Sequence, residues 1–527
     1  FFDGYYDAKR NCIWLACGYD GIAQFDLATQ KINYNPLIDK KSLNANPANY
    51  VTLITPKNDN EIWFVSFNLG VYSISNKQFF SFEQSYKDEY SFKTIPVSKL
   101  FEDKENNLWI ASYNGLSQLP WQNNQIKTIP LFNTAAQYTV EPFGVLDYNG
   151  SDILIANNTS NGLLWWNNQA QKLSVIENPF YKGKKRELKG IQCVARNSKG
   201  EIFAASEEHF FSFKNNKLLP LFLRDQDGKS PTNITRIVFD KNDNVYMYSP
   251  YNGFYFLDVK NNTLKHFDVA DVDAKSASVS SNLIAPRTID NQNNAWFAMT
   301  EGVYCWQKST GKFLHYANGK AENTRAKIIQ SIDVIQDRQG HFWITTIDNG
   351  IFELIINGKQ SKLLNYNKEN SGLPSDYCSR LILDKKGFLW IGTLNGLTKF
   401  DTKTKKVISV LNRQHGLAEN GAVVLLSLLP DNNLVVNHYG VLSVINLTTY
   451  KTNQLQPKVT ITSIKVLDAF LTPKKINKKS IQLKHNENFI SFEWASDVLN
   501  NANQNRFAYQ LSGVDAAWNY TDKNSIS

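Results

Sequence analysis

The chain has 527 residues, 42% of them hydrophobic and 13% aromatic, with 12 Trp, 24 Tyr and 32 Phe. That supply of apolar side chains excludes a disordered chain and is enough for more than one core. The net charge is +9, but Lys and Arg are scattered, the pattern of a solvated surface, and no nucleic-acid partner is expected.

Read in chain order, one kind of element keeps returning. It first appears as Ile13-Trp14-Leu15-Ala16, then as Ile62-Trp63-Phe64-Val65 and Leu108-Trp109-Ile110-Ala111. Weaker copies follow around Leu154, Phe203 and Tyr246. Stronger ones stand at Trp296, Phe342-Trp343-Ile344-Thr345 and Leu389-Trp390-Ile391-Gly392-Thr393, and a last weak one at Val435. The spacing averages about 47 residues, the signature of one supersecondary unit copied many times.

Each copy is predicted as strands. The apolar anchor run is rich in β-branched and aromatic residues, so it reads as a buried strand. Before it comes turn chemistry: Asp240 to Asn244, Asp290 to Asn294, Asp337 to Gly340. After it a glycine such as Gly350 or Gly396 provides positive φ for a hairpin, and Gly396-Leu397-Thr398-Lys399-Phe400-Asp401 returns as the next strand. The segments Ile234 to Phe239 and Lys406 to Leu411 supply a strand on either side. Four short strands in about 45 residues make a propeller blade, which buries its faces against its neighbours. The tryptophan anchors are therefore expected in blade interfaces. The repeated aspartates are expected to support turns rather than to catalyse, since a residue present in every blade is scaffold.

Specific chemistry is sparse. Five cysteines form no Cys-x-x-Cys, and Cys12 and Cys17 are predicted on opposite faces of a strand, unable to bridge. The seven histidines show no metal-ligand spacing, so no metal is expected. No nucleophile elbow or phosphate-cradling loop is visible, and neither catalytic residues nor cofactors are assigned. No apolar run reaches the roughly 18 residues of a membrane span. Two features remain as candidate ligand sites. One is the start of the innermost strands, where alignment places Arg236, Arg287, Asp333 and Arg380 at the channel mouth. The other is Trp165-Trp166, which interrupts the repeat; adjacent strand residues face opposite ways, so one of the pair is expected to be exposed.

The Asp-x-x-Gly-x-Leu-Trp-Ile-Gly-Thr-x-x-Gly-Leu pattern, fullest at 337–353 and 384–401 and preceded by Ser371-Gly372-Leu373-Pro374-Ser375-Asp376, resembles the two-component regulator propeller repeat. After Pro457, Asn488-Phe489-Ile490-Ser491-Phe492-Glu493-Trp494 and the string Tyr509 to Trp518 are similar to the Ig-like β-sandwich (Y_Y_Y) domain that follows such propellers. The resemblance implies an all-β chain of about ten four-stranded repeats. Residues 1–125 would be the last blades of a first propeller, 126–456 a second, seven-bladed propeller, and 457–527 the N-terminal part of a truncated sandwich. A single ten-bladed ring is the alternative.

It also implies a fragment of a periplasmic sensor from Bacteroidetes. This region would be non-catalytic. It would detect an oligosaccharide and regulate polysaccharide-utilisation genes through a histidine kinase. Homodimerisation of the full-length sensor and membrane attachment through a helix outside this chain belong to the same expectation. A protein-interaction propeller and a carbohydrate-active propeller enzyme are the rival readings.

Overall fold

The ninth copy shows how the repeat folds. Cys378–Leu383, Phe388–Thr393, Gly396–Asp401 and Lys406–Leu411 pair antiparallel in sequence order. Gly396 joins the second and third strands at φ +108°, and a Cβ there would lie 2.2 Å from the Leu411 carbonyl oxygen. Glycine is thus demanded twice, by the backbone angle and by the approach of the fourth strand. This computed structural model describes residues 1–527 except 37–49, 67–68, 82–96, 104–106, 114, 120–124, 134–137, 140–141, 158–161, 171, 181–189, 251, 268–287, 318–327, 329, 359, 419–422, 424, 439, 452–457, 468, 472–481, 497–506, 516–517, 522 and 527.

The turn aspartate has a second task that spacing alone did not reveal. Asp384 Oδ1 accepts the backbone N–H groups of Lys386 and Phe388, while Oδ2 accepts the Trp390 indole N–H at 3.0 Å. The same device joins Asp337 to Trp343, Asp290 to Trp296 and Asp103 to Trp109. One carboxylate therefore closes the turn and fixes the rotamer of the interface tryptophan. Asp384→Ala is expected to cost about 2 kcal/mol, because it strands a buried indole donor. Asp431→Ala, on an exposed turn whose anchor is Val435, should cost well under half of that. The shift in urea midpoint of the two variants checks this.

The chain divides into two compact units, Asn124–Lys451 and Phe1–Asn123 with Thr452–Ser527. In the first of these, seven four-stranded blades follow one another, here called blades 4 to 10, with Asn157 opposite Ile191 joining blades 4 and 5 into one eight-stranded sheet. Their first strands are Pro142–Tyr148, Ile191–Arg196, Arg236–Phe239, Thr288–Ile289, Ser331–Gln336, Cys378–Leu383 and Leu425–Leu428. These strands neighbour each other in order, and the last neighbours the first, so they surround a central axis. Blade 10 takes only three strands from its own stretch. Its fourth, Ile126–Pro130, pairs antiparallel with Val441–Asn446, Ile126 opposite Ile445 and Pro130 opposite Val441. The two ends of the unit are thereby tied in one sheet, and the ring is a closed seven-bladed propeller. That pairing rules out one ring of ten.

An apolar cluster fills each of the seven interfaces. Trp296 and Val303 of blade 7 pack on Phe342, Ile344 and Leu354 of blade 8, and Trp343 of blade 8 packs on Leu389, Ile391 and Phe400 of blade 9. The anchor faces the following blade and its flanking residues face the preceding one, as the alternation of a strand requires.

In the other unit, blades 1 and 2 start at Asp3–Asp7 and Leu53–Asn58, and a three-stranded blade 3 spans Val97–Glu102, Leu108–Ser112 and Gly115–Leu119. Clusters around Trp14 and Trp63 fill the two interfaces among them. Beyond residue 457, Val459–Val466 and Ile490–Ser496 form the centre of one small sheet, and Phe507–Tyr509 pairs with Asn519–Thr521 in another. Trp494 lies against Phe507 and Tyr509 with ring centroids 5.9 and 6.3 Å apart, placing a shared core between two sheets. All five cysteines are free thiols. Among the described residues no helix is long and apolar enough to cross a membrane.

Candidate functional site

The inner strands of blades 4, 5, 6, 8, 9 and 10 line a cavity of about 400 Å³. The inner strands present Asp147 from blade 4, Arg196 from blade 5, Arg236 from blade 6 and Asp333 from blade 8. Leu381 and Ile382 of blade 9, with Leu426, Leu428 and Leu429 of blade 10, form the opposite, apolar wall. The cavity thus has a charged side and a greasy side, the composition of a small-molecule site that orients its ligand. Near it a second cavity of about 480 Å³ opens between Phe239, Ile289, Gln336 and Arg338.

The charged wall is organised by backbone contacts. Arg196 donates through Nη2 to the Asp147 carbonyl, and Nη2 stands 3.9 Å from the Asp147 carboxylate. Asp147 Oδ2 also accepts the Gly150 N–H at 3.3 Å. Asp333 accepts the N–H groups of Val334 at 3.1 Å and of Leu381 at 3.4 Å. Both carboxylates are recessed, Asp147 at 6% and Asp333 at 2% exposure, whereas both guanidinium residues are half-buried. Arg196 Nε is buried without an acceptor among the described residues.

Of the predicted mouth residues, Arg236 and Asp333 meet in this cavity. Arg287 lies outside the described residues. Arg380 shares an inner strand with Leu381 but does not line the cavity. Its strand carries a β-bulge there: Cys378 pairs with Thr393 and Leu381 with Ile391, so Ser379 and Arg380 together oppose Gly392. Blade 8 carries the same bulge at the same place, Ile332 and Asp333 together opposing Thr345, so register does not separate the two positions. Asp147 and Arg196 were missed because they stand seven residues before their anchors Leu154 and Phe203, three positions further along the inner strand than Arg236 and Asp333.

The expectation that one of Trp165 and Trp166 is exposed is corrected. They face opposite ways, but into two different interfaces. Trp166, 6% exposed, packs with Val435 and Leu442 of blade 10. Trp165 packs toward Ile202 and Phe213 of blade 5, and its indole donates to Asp152 Oδ2 at 3.1 Å. It stands directly across the strand pair from Leu154, the anchor without an indole. Trp165 therefore supplies from the neighbouring strand the donor that Leu154 lacks. Neither ring reaches the channel cavity. Among the described residues no group of three His, Cys, Asp or Glu is placed to hold a metal.

Residues 372–395, the connector and anchor strand of blade 9, match the family model described as two component regulator propeller. The chain carries the two component regulator propeller repeat. Among solved structures this regulator propeller is similar to the extracellular domain of BT3049 from B. thetaiotaomicron, named a hybrid two component system. Identity is 16% over 99% of this chain and 79% of that one, with a TM-score of 0.55. The extracellular domain of BT4673 from the same organism, also named a hybrid two component system, matches at 15% identity over 99% of this chain and 70% of that one, TM-score 0.48. A virginiamycin B lyase from Staphylococcus aureus matches at 12% identity over 61% of this chain and 99% of the lyase, TM-score 0.43. At 16% identity the first likeness is one of fold. Among curated protein sequences no match is found.

Proposed function

We propose that this chain is the extracytoplasmic, periplasmic sensing region of a two-component regulator, and that its ligand is an oligosaccharide or a fragment of one. The observation that carries the reading is the charged cavity on the axis of a closed ring built from regulator propeller repeats. The named neighbours, extracellular domains of hybrid systems, support it by analogy. Arg236 and Asp333 are the proposed contacts, joined by Arg196 and Asp147. We also read blades 1 to 3 as part of another propeller. Leu116, just after the hairpin glycine of blade 3, is 65% exposed, whereas its counterparts Val303, Ile351 and Leu397 are fully covered by the next blade.

Ligand binding transmits a signal only by favouring one arrangement of the region over another. Output through a kinase, regulation of polysaccharide-utilisation genes and action as a homodimer belong to the same proposal. The test is calorimetric titration of the chain with a panel of neutral and acidic oligosaccharides. Saturable heat with at least one class is expected. Absence of heat across the panel, from protein whose circular dichroism remains that of folded β-structure, rejects the reading.

A further inference from the structure

We infer that Asp225 and His266 form a binding site for a divalent transition-metal ion at the outer edge of blade 6. Neither residue lines the channel cavity.

An aspartate turn occurs here outside the blades. Between Lys217–Leu221, the last strand of blade 5, and Arg236–Phe239, the first of blade 6, lies the run Asp225-Gln226-Asp227-Gly228-Lys229. It folds as the turns of the blades do. The Asp225 N–H donates to the Lys229 carbonyl and the Gly228 N–H to the Asp225 carbonyl. Asp225 Oδ1 accepts the N–H groups of Asp227 and Lys229 at 3.0 and 2.8 Å. In the blades the other oxygen accepts the indole six residues on, as Asp384 does from Trp390. Pro231 stands at that place here. Asp225 Oδ2 belongs to a side chain only 1% exposed and has no hydrogen-bond partner among the described residues. A buried carboxylate oxygen is costly unless a donor or a cation meets it.

Facing it is His266 Nδ1, 3.8 Å away. The imidazole is fixed in place. It stands on Thr263–Phe267, the last strand of blade 6, stacks on Tyr255 with ring centroids 4.4 Å apart, and its Nε2 meets the Asn252 carbonyl. A carbonyl only accepts, so Nε2 carries the proton, and Nδ1 of the neutral ring turns a lone pair toward the carboxylate. An imidazole whose far N–H is held by a backbone carbonyl is the arrangement of a metal-ligating histidine. Gln226 holds the two elements together: it accepts the His266 N–H at 2.9 Å and donates to the His266 carbonyl at 3.3 Å.

The separation decides which cation fits. A proton shared as N–H···O would bring the two atoms to about 2.7–3.2 Å, and 3.8 Å is too long. Zinc bonds imidazole nitrogen and carboxylate oxygen at about 2.0–2.2 Å each, so it spans 3.8 Å at a wide angle. One nitrogen and one oxygen donor suit zinc, copper or nickel rather than magnesium or calcium. Two protein donors are fewer than a structural zinc site uses. Water completes the shell on the open side, where the His266 side chain is 20% exposed, and the ion exchanges with solution.

The probe is zinc chloride, titrated at neutral pH into the whole chain after chelator treatment, with magnesium chloride beside it. Saturable heat is expected with zinc and none with magnesium. Asp225→Asn and His266→Gln should each weaken zinc binding at least tenfold, with folding checked by circular dichroism. His315→Gln should not change it. His315 holds the matching place in blade 7, stacked on Tyr304 with Nε2 on the Glu301 carbonyl, but no carboxylate faces it among the described residues. Zinc should also raise the unfolding temperature of the wild type and not of His266→Gln. Anomalous scattering at the zinc edge from soaked crystals needs no variant, and a peak between Asp225 Oδ2 and His266 Nδ1 is expected.

Absence of zinc heat, or equal heat from the wild type and both site variants, overturns the inference. So does binding that His266→Gln loses and Asp225→Asn keeps, which assigns a lone surface histidine.

Discussion

A chain beginning at residue 132 and ending at Lys451 should fail to fold cooperatively, whereas one beginning at Asn124 should fold. The eight residues between them include Ile126–Pro130, the fourth strand of blade 10. Ile126 packs with Trp390, Leu434 and Ile445, and Ile129 and Leu131 pack with Trp166 and Val435. All three side chains are at least nine-tenths buried. At about 1.5–3 kcal/mol per fully buried aliphatic, the segment contributes roughly 4–9 kcal/mol before its backbone hydrogen bonds are counted. That is comparable to the 5–15 kcal/mol that holds a whole domain together, taken as an order of magnitude. Its loss also bares the edge of Val441–Asn446, an invitation to aggregate.

Thermal unfolding and protease resistance of the two fragments are the measurements. A cooperative transition at equal temperature in both would show that the closing strand is dispensable. Within the whole chain, Ile129→Asp tests the same interface by placing a charge where the cluster has no partner for it.

The second large effect is expected at Glu353. Its side chain, 1% exposed, accepts from His341 Nδ1 at 2.8 Å, Tyr366 Oη at 2.8 Å and Lys405 Nζ at 2.7 Å. Lys405 belongs to blade 9 and lies over the Trp343 ring of blade 8 at 4.6 Å, so the carboxylate fastens two blades. Burial by itself pushes this carboxyl up. The donors Lys405, Tyr366 and His341 outweigh it, and the group is held below its usual value of 4.5.

Glu353→Ala leaves a lysine and a histidine without their acceptor. It is expected to destabilise by about 3–5 kcal/mol, the scale for removing one partner of a buried pair. Lys405→Met combined with Glu353→Gln should cost less than the sum of the single variants, because they share one interaction. A carboxyl lowered in the folded state adds stability that is complete above the unfolded value of about 4.5 and is lost as pH falls through the folded value. The stability difference between wild type and Glu353→Gln should therefore shrink on acidification below that point. Urea unfolding at neutral pH and in acid measures it. A difference that is flat with pH would show that the ion network adds nothing beyond packing.

The repeat determined the architecture without help from tertiary data. Period, anchor, turn and glycine are local features, and each copy carries enough of them to dictate a hairpin with flanking strands. They also place Trp296, Trp343 and Trp390 in interfaces, because a strand with apolar residues on both faces must be covered on both. What the tertiary structure decided was everything that depends on residues distant in sequence.

The pairing of Ile126 with Ile445 spans the whole ring, and no local pattern records it. Glu353 and Lys405 are 52 positions apart, and either one alone reads as a surface charge. Trp165 looked like an intruder until its position opposite Leu154 showed it donating to Asp152. Arg236 and Asp333 were found from alignment because each stands ten residues before its anchor, Tyr246 or Trp343. Arg380 stands at the same distance from Trp390, beside the same bulge as Asp333, yet is not among the residues that line the cavity, a difference that position counting does not record. Sequence periodicity fixes which way a strand's residues alternate. Only the closed ring decides which of them share a cavity, since that depends on where seven strands converge on one axis.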